Sequence, residues 1–184
     1  LALHAMAQGW NQPLKAIYTW GDTLLESQRA VIEKAFGAKV YDQYGCAEGI
    51  QVSAQCGANN GYHVHALDVI VEYVDDFGNP VSPDQVGNLL LTRLHPGPTP
   101  LVRYKVGDLG RAGNQNPCSC GRGFELMAAI RGRESDVIIT PSGNRLIVHY
   151  FTGIIEYFTQ VEAFQVVQTD SDTIILRIVP SDGY

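Results

Sequence analysis

The spacing of apolar residues changes along this chain, and the changes divide it into three stretches. Leu14–Thr19 reads as a short strand that breaks at Gly21. Leu24, Leu25, Val31, Ile32, Ala35 and Phe36 then recur at helical spacing. Thr23 and Glu26 form a T-x-x-E capping box at the start of that helix, and Gly37 supplies its stop. Residues 38–44, "AKVYDQY", return to a strand-like run. Strand, helix, strand is the pattern of an α/β layer with parallel strands.

The middle stretch is β-rich. "YHVHALDVIVEYVD" reads as one strand, "DDFGNPVSPDQVG" as turn chemistry, and "NLLLTRL" and "LVRYKVGDLG" as further strands of a meander or small distorted barrel. Beyond a Gly/Asn/Pro-rich loop, "IRGRESDVIITPSGNRLIV" predicts a hairpin with a Pro-Ser-Gly-Asn turn. "VHYFTGIIEYF" predicts a short amphipathic helix, and "VEAFQVVQT" and "TIILRIV" two closing strands. The expected fold class is therefore α/β plus a β-rich segment, residues 1–132, followed by the start of a small α+β domain, residues 133–184. The charged and small residues Arg133–Asp136 between them are the expected hinge.

Composition narrows the functional classes. The net charge is -6 and no Lys/Arg cluster occurs, which argues against a nucleic-acid or anionic-membrane surface. No apolar run has the length of a bilayer span. The first residues, "LALHAMAQGW", show no basic leader pattern, and four cysteines without one predict a reducing, cytoplasmic setting.

The segment "YDQYGCAEG" sets Tyr44, Gly45 and Glu48 close together. Glycine permits close backbone approach, and a carboxylate beside it suits a metal ion. Four segments then occur in order: "YTWGDTL", "YDQYGCAEG", "VRYKVGDLG" and "IRGRESDVIITPSGNRL". Together they resemble the adenylate-forming ligases, and among these the phenylacetate–coenzyme A ligase branch, over nearly the whole chain.

That resemblance implies a carboxylic acid activated by ATP to an acyl-adenylate, with the acyl group passed to coenzyme A. Glu48 matches the family's Mg²⁺-associated glutamate, and Tyr44 and Gly45 the residues facing the base and acyl pocket. Asp108 matches the aspartate that accepts from both ribose hydroxyls, and a carboxylate is a natural acceptor for a diol. Arg103 is expected to pair with that carboxylate or with phosphate, or to sit on a strand face. Gly21 and Asp22 match the adenine loop. Arg133 matches the arginine of the G-R-x-D-D hinge motif, where this chain reads Gly132, Arg133, Glu134, Ser135, Asp136, with Ser135 at the pivot. The family's Ser/Thr/Gly-rich phosphate loop has no counterpart in these residues. Its late catalytic lysine has none either, since the lysines are Lys15, Lys34, Lys39 and Lys105. The chain therefore reads as an internal piece of a ligase, expected to form no adenylate by itself.

The cysteines form a separate constellation. Cys56, His63, Cys118 and Cys120 make a Cys₃His set, the composition of a closed structural zinc site, with His65 the alternative histidine. Cys46 falls in the nucleotide motif and is assigned to the acyl or nucleotide pocket rather than to the metal. A Cys118–Cys120 disulfide would be strained. Two other readings stay open: a zinc-stabilised binding module with the ligase fold and no catalysis, and an adenylate-forming enzyme with an acceptor other than coenzyme A. The expected partners are a small carboxylic acid, ATP and coenzyme A, with a homodimer left open.

Overall fold

Alternating burial along the second strand organises the first part of the molecule: Val40, Asp42 and Tyr44 turn inward while Tyr41 and Gln43 are less covered. The computed structural model describes residues 1–155 and 157–181. Its contacts divide the chain into two compact units, Leu1–Ile130 and Arg131–Tyr184.

The first unit opens with a short helix, α1 (Ala2–Ala7), which the apolar spacing did not suggest. Strand β1 is shorter than expected, Ile17–Thr19, and pairs in parallel with β2 (Val40–Cys46). Between them runs α2 (Glu26–Phe36). Its start corrects the expected capping box. The helix begins beyond Thr23, and Gln28 reaches back to accept the Leu25 N–H at 3.1 Å. Its end matches the expectation: Gly37 takes a left-handed φ of 62° and donates its N–H to Glu33 O at 2.9 Å.

Strands β3 (Ile50–Gln55), β4 (Tyr62–Val64), β5 (Val69–Val74), β6 (Val86–Arg93), β7 (Tyr104–Ala112) and β8 (Leu126–Arg133) complete an eight-stranded sheet ordered β1-β2-β3-β4-β8-β7-β6-β5. The run expected as one strand over residues 62–75 is thus two. The chain turns at His65, whose carbonyl accepts the N–H groups of Asp68 at 2.8 Å and Val69 at 3.0 Å. Strand β4 stays with β3 and β8, while β5 pairs with β6 at the far edge. A run rich in β-branched and aromatic residues carries no mark of such a change of partner.

The core gathers residues from both halves of this sheet. Val52 and Val64 come from β3 and β4; Leu89, Leu91, Val106 and Met127 come from β6, β7 and β8. Helix α2 is fixed by a buried arginine rather than by apolar packing alone. Arg29 donates to Val40 O and to Gln55 Oε1, each at 2.7 Å, so its charge is met by acceptors of β2 and β3.

The second unit contains a 3₁₀ turn (Glu134–Asp136), the expected hairpin β9 (Val137–Ile139) and β10 (Arg145–Ile147), helix α3 (Val148–Ile155), and an antiparallel pair, β11 (Val161–Asp170) and β12 (Thr173–Pro180). Gln168 ties β11 to β9 by accepting the Ile139 N–H at 2.9 Å. The expected helix continued through Glu156, which lies outside the described residues. Among the described residues no helix is long and apolar enough to cross a membrane.

Leu89 is 0% exposed in the sheet core, whereas Phe77 is 91% exposed on a turn. Leu89→Ala should lower unfolding stability by about 2–5 kcal/mol, and Phe77→Ala should change it by less than about 0.5 kcal/mol. Denaturant titration of both variants checks this; equal effects would mean the core lies elsewhere.

Candidate functional site

The inward alternation of β2 carries the Tyr44 ring across the sheet toward β7. Its hydroxyl donates to Asp108 Oδ2 at 2.7 Å, joining residues 64 positions apart. Both residues are buried, Tyr44 at 9% exposure and Asp108 at 8%. A buried carboxylate requires donors, and this phenol supplies one.

The residues after Tyr44 form a tight β2–β3 connection. Gly45 has an internal reason to be glycine: a Cβ there would lie 2.7 Å from Ile50 O, where the β2–β3 register shifts. Glu48 stands exposed at the tip of this connection. Its Oε1 accepts the Tyr104 hydroxyl, and its carbonyl accepts Arg93 Nη2. The loop is therefore held from β6 and β7, which fixes where its carboxylate projects. Cys46 packs against the core, and burial together with its hydrogen bond to Glu48 pushes its thiol above the ordinary value.

Other sequence-derived residues have different surroundings. Arg103 does not lie on a strand face toward Asp108. It precedes β7 with a φ of 47°, and its guanidinium pairs with Glu72 at 3.1 Å and donates to Gly78 O at 3.3 Å. The sequence could not show this, because Glu72 lies on β5 and meets Arg103 only once β5, β6 and β7 are side by side. Gly21, with a φ of 94°, and Asp22 form the loop after β1, where Asp22 Oδ1 accepts the Thr23 N–H at 2.7 Å. In the second unit, Arg133 ends β8 and Ser135 donates to Asp136 Oδ1 at 2.9 Å within the 3₁₀ turn.

The cysteine constellation comes together. The donor atoms of Cys56, His63, Cys118 and Cys120 all lie within 4.8 Å of one another. Cys56 Sγ is 3.7 Å from Cys118 Sγ, and Cys120 Sγ is 3.3 Å from His63 Nε2. The structure selects His63; His65 instead begins the turn after β4 and donates its N–H to Val52 O at 2.9 Å. The Arg122 N–H, and then the Arg122 guanidinium, hold the Cys120 thiol down at about 6.

No family model matches the chain. Among curated proteins, it is 34% identical over 142 residues to the phenylacetate-coenzyme A ligase of Thermus thermophilus, covering 75% of this chain and 29% of that protein. A solved structure of 2-hydroxyisobutyryl-CoA ligase with 2-HIB-AMP and CoA superposes with a TM-score of 0.70 at 26% identity, over 98% of this chain and 42% of that one. The chain belongs to the adenylate-forming superfamily. Protein CapK of Staphylococcus aureus is 29% identical over 168 residues, 91% of this chain and 36% of that protein. The chain thus spans about a third of the length of the curated relatives it matches. A second state of 2-hydroxyisobutyryl-CoA ligase, with a TM-score of 0.79 at 24% identity, shares the mixed α/β fold over 98% of this chain.

Around the adenylate-forming motifs lies a polar network that sequence spacing did not suggest. Asp42 accepts the Thr19 hydroxyl at 2.6 Å and the Tyr62 hydroxyl at 2.7 Å, and its N–H donates to Gln55 at 3.1 Å. It anchors the strand that ends in the tyrosine–glycine segment. An aspartate at an inward strand position was a signal that a buried partner set existed.

Two outcomes follow from these contacts. Tyr44→Phe leaves the buried Asp108 carboxylate short of a donor and should cost about 1–3 kcal/mol of stability, read from the denaturant midpoint; an unchanged midpoint would show that water replaces the phenol freely. Burial, then the neighbouring Asp42, raises the Tyr62 hydroxyl above the ordinary phenol value. A raised folded-state value favours the protonated form, so this stability is complete below about pH 10 and is lost as pH climbs further. Stability measured across alkaline pH should fall less steeply in Tyr62→Phe; an identical slope in both proteins would place the effect elsewhere.

Proposed function

We propose that the protein containing this chain is an ATP-dependent acid–coenzyme A ligase acting on an aryl acid such as phenylacetate. The observation that carries this reading is the Tyr44–Asp108 hydrogen bond at 2.7 Å, which joins "YGCAEG" to "YKVGDLG", two motifs remote in sequence. The relatives support it: the Thermus protein is named a phenylacetate-coenzyme A ligase, and the 2-hydroxyisobutyryl ligase structure carries an acyl-AMP and CoA. ATP and coenzyme A as substrates agree with a cytoplasmic location.

On this reading Asp108 receives the ribose hydroxyls, with Tyr44 orienting its carboxylate, and Tyr44 and Gly45 border the base and acyl pocket. Gly21 and Asp22 contribute to the adenine side, Arg133 contacts ribose or phosphate, and Ser135 marks the pivot. Arg103 braces β5 against the start of β7 through Glu72 and so acts on the pocket at one remove. A single exposed carboxylate fits Mg²⁺, which usually keeps several waters and takes the rest of its ligands from substrate phosphates. Glu48, exposed and fixed by Tyr104 and Arg93, meets that description. When bound, the ion offsets the negative charge of the polyphosphate.

The test uses the full-length protein, because the chain spans 29% of the Thermus relative. Pyrophosphate release is followed over phenylacetate, benzoates and fatty acids, with the thioester assayed separately. Acid-dependent pyrophosphate and a coenzyme A thioester are expected, with phenylacetate among the best substrates. No acid-dependent pyrophosphate would overturn the reading, and pyrophosphate without thioester would point to another acceptor. Glu48→Gln should slow adenylation by about 10²-fold or more, the scale of losing one electrostatic stabiliser. Thioester formation from supplied acyl-AMP should suffer much less, because no pyrophosphate leaves in that half. Asp108→Ala should weaken nucleotide binding in both halves. Equal impairment of both halves by Glu48→Gln would return Glu48 to a structural loop residue.

A further inference from the structure

We propose that Cys56, His63, Cys118 and Cys120 hold a structural zinc ion that staples the middle of the eight-stranded sheet. The donor set and its spacing carry this. With Zn–S near 2.3 Å and Zn–N near 2.0–2.1 Å, a tetrahedral site has S···S edges of about 3.8 Å and S···N edges of about 3.5 Å. The structure has 3.7 Å between Cys56 and Cys118 Sγ and 3.3 Å between Cys120 Sγ and His63 Nε2, with all four donors within 4.8 Å. The Cys56–Cys118 separation is that of two ligands sharing a centre, well beyond a disulfide bond of about 2.05 Å.

The surroundings fit a closed metal site. Cys56, His63 and Cys118 are buried. The His63 ring turns Nε2 to the thiols, and its buried Nδ1 has no hydrogen-bond partner among the described residues. A neutral imidazole ligating through Nε2 carries its proton on Nδ1. Zinc at the centre gives all four donors one shared partner. As the metal enters, any of the three cysteines still protonated release their protons to solvent. Three thiolates around one dication leave a single negative charge, and the Arg122 guanidinium beside Cys120 is placed to offset it. Four protein ligands complete a tetrahedron and leave no position for substrate, so the site is structural.

Its place in the fold gives it a task. Strands β4 and β8 pair over only Tyr62↔Met127 and His63↔Leu126, a short seam in the sheet. Cys56 follows β3 and His63 lies in β4, on one side; Cys118 and Cys120 lie in the β7–β8 connection, on the other. Tyr44 and Asp108 likewise stand on opposite sides of the seam. One ion therefore ties together the halves that must stay in register for those two residues to meet. The proposal rests on these four side chains and not on the ligase reading.

Elemental analysis of the purified full-length protein should give about one zinc per chain. The double variant Cys118→Ser, Cys120→Ser should fall below about a tenth of that, while Cys46→Ser, outside the cluster, keeps it. Should the double variant fail to fold, the unmodified protein still decides. Alkylation mapped by peptide mass spectrometry should spare Cys56, Cys118 and Cys120 until a strong chelator is added. The same chelator should lower the thermal midpoint. Zinc well below one per chain with these three cysteines freely alkylated, or a disulfide-linked Cys56–Cys118 peptide, would overturn the site. A thermal midpoint indifferent to zinc removal would overturn the stapling role.

Discussion

The first unit depends on keeping two sets of strands in register across a very short seam. Strands β4 and β8 share two residue pairs, while their neighbours β2–β3 and β6–β7 pair over longer runs. Two hydrogen-bonded pairs resist sliding weakly, so other interactions must hold the halves together. The apolar cluster does so from inside, because Val52 and Val64 on one side pack with Leu89, Leu91 and Met127 on the other. The Tyr44–Asp108 bond spans the same divide. The proposed zinc would add a third tie, one that apolar packing cannot replace because it fixes direction as well as distance.

Three buried charged groups of the first unit are each tied to another element. Arg29, Asp42 and Asp108 are all buried, and each is met by named partners: Val40 O and Gln55, Thr19 and Tyr62, and Tyr44. Arrangements of this kind are costly unless satisfied, and once satisfied they specify a single geometry. The exposed carboxylate of Glu48 differs. It is positioned by Tyr104 and Arg93 at the end of a loop, with its surroundings open to solvent and to a ligand. On the proposed reading, the buried, oriented aspartate would hold a diol and the exposed, oriented glutamate would approach phosphate.

Local rules made much of the chain legible. The glycine stop at Gly37, the turn at residues 140–144 and the pairing of β11 with β12 depend on residues near one another, and there propensity and turn chemistry decide. The order of four motifs was enough to point to the superfamily. Short-range detail was less secure where two local solutions compete. Thr23 and Glu26 offered a capping box, yet Gln28 captured the Leu25 N–H instead, two residues further on.

What the sequence by itself determined is the succession of elements and the chemical kinds of residue available: an α/β opening, a β-rich middle, a Cys₃His set, and carboxylates beside glycines. The tertiary structure decided which of these meet. It split the run over residues 62–75 between two places in the sheet, sent Arg103 to Glu72, chose His63 over His65, and brought Tyr44 to Asp108. Periodicity reports which face a residue presents, but not which strand lies beside it. Pairing between strands far apart in sequence is selected by the core they bury together, and that selection exists only when the whole sheet is assembled.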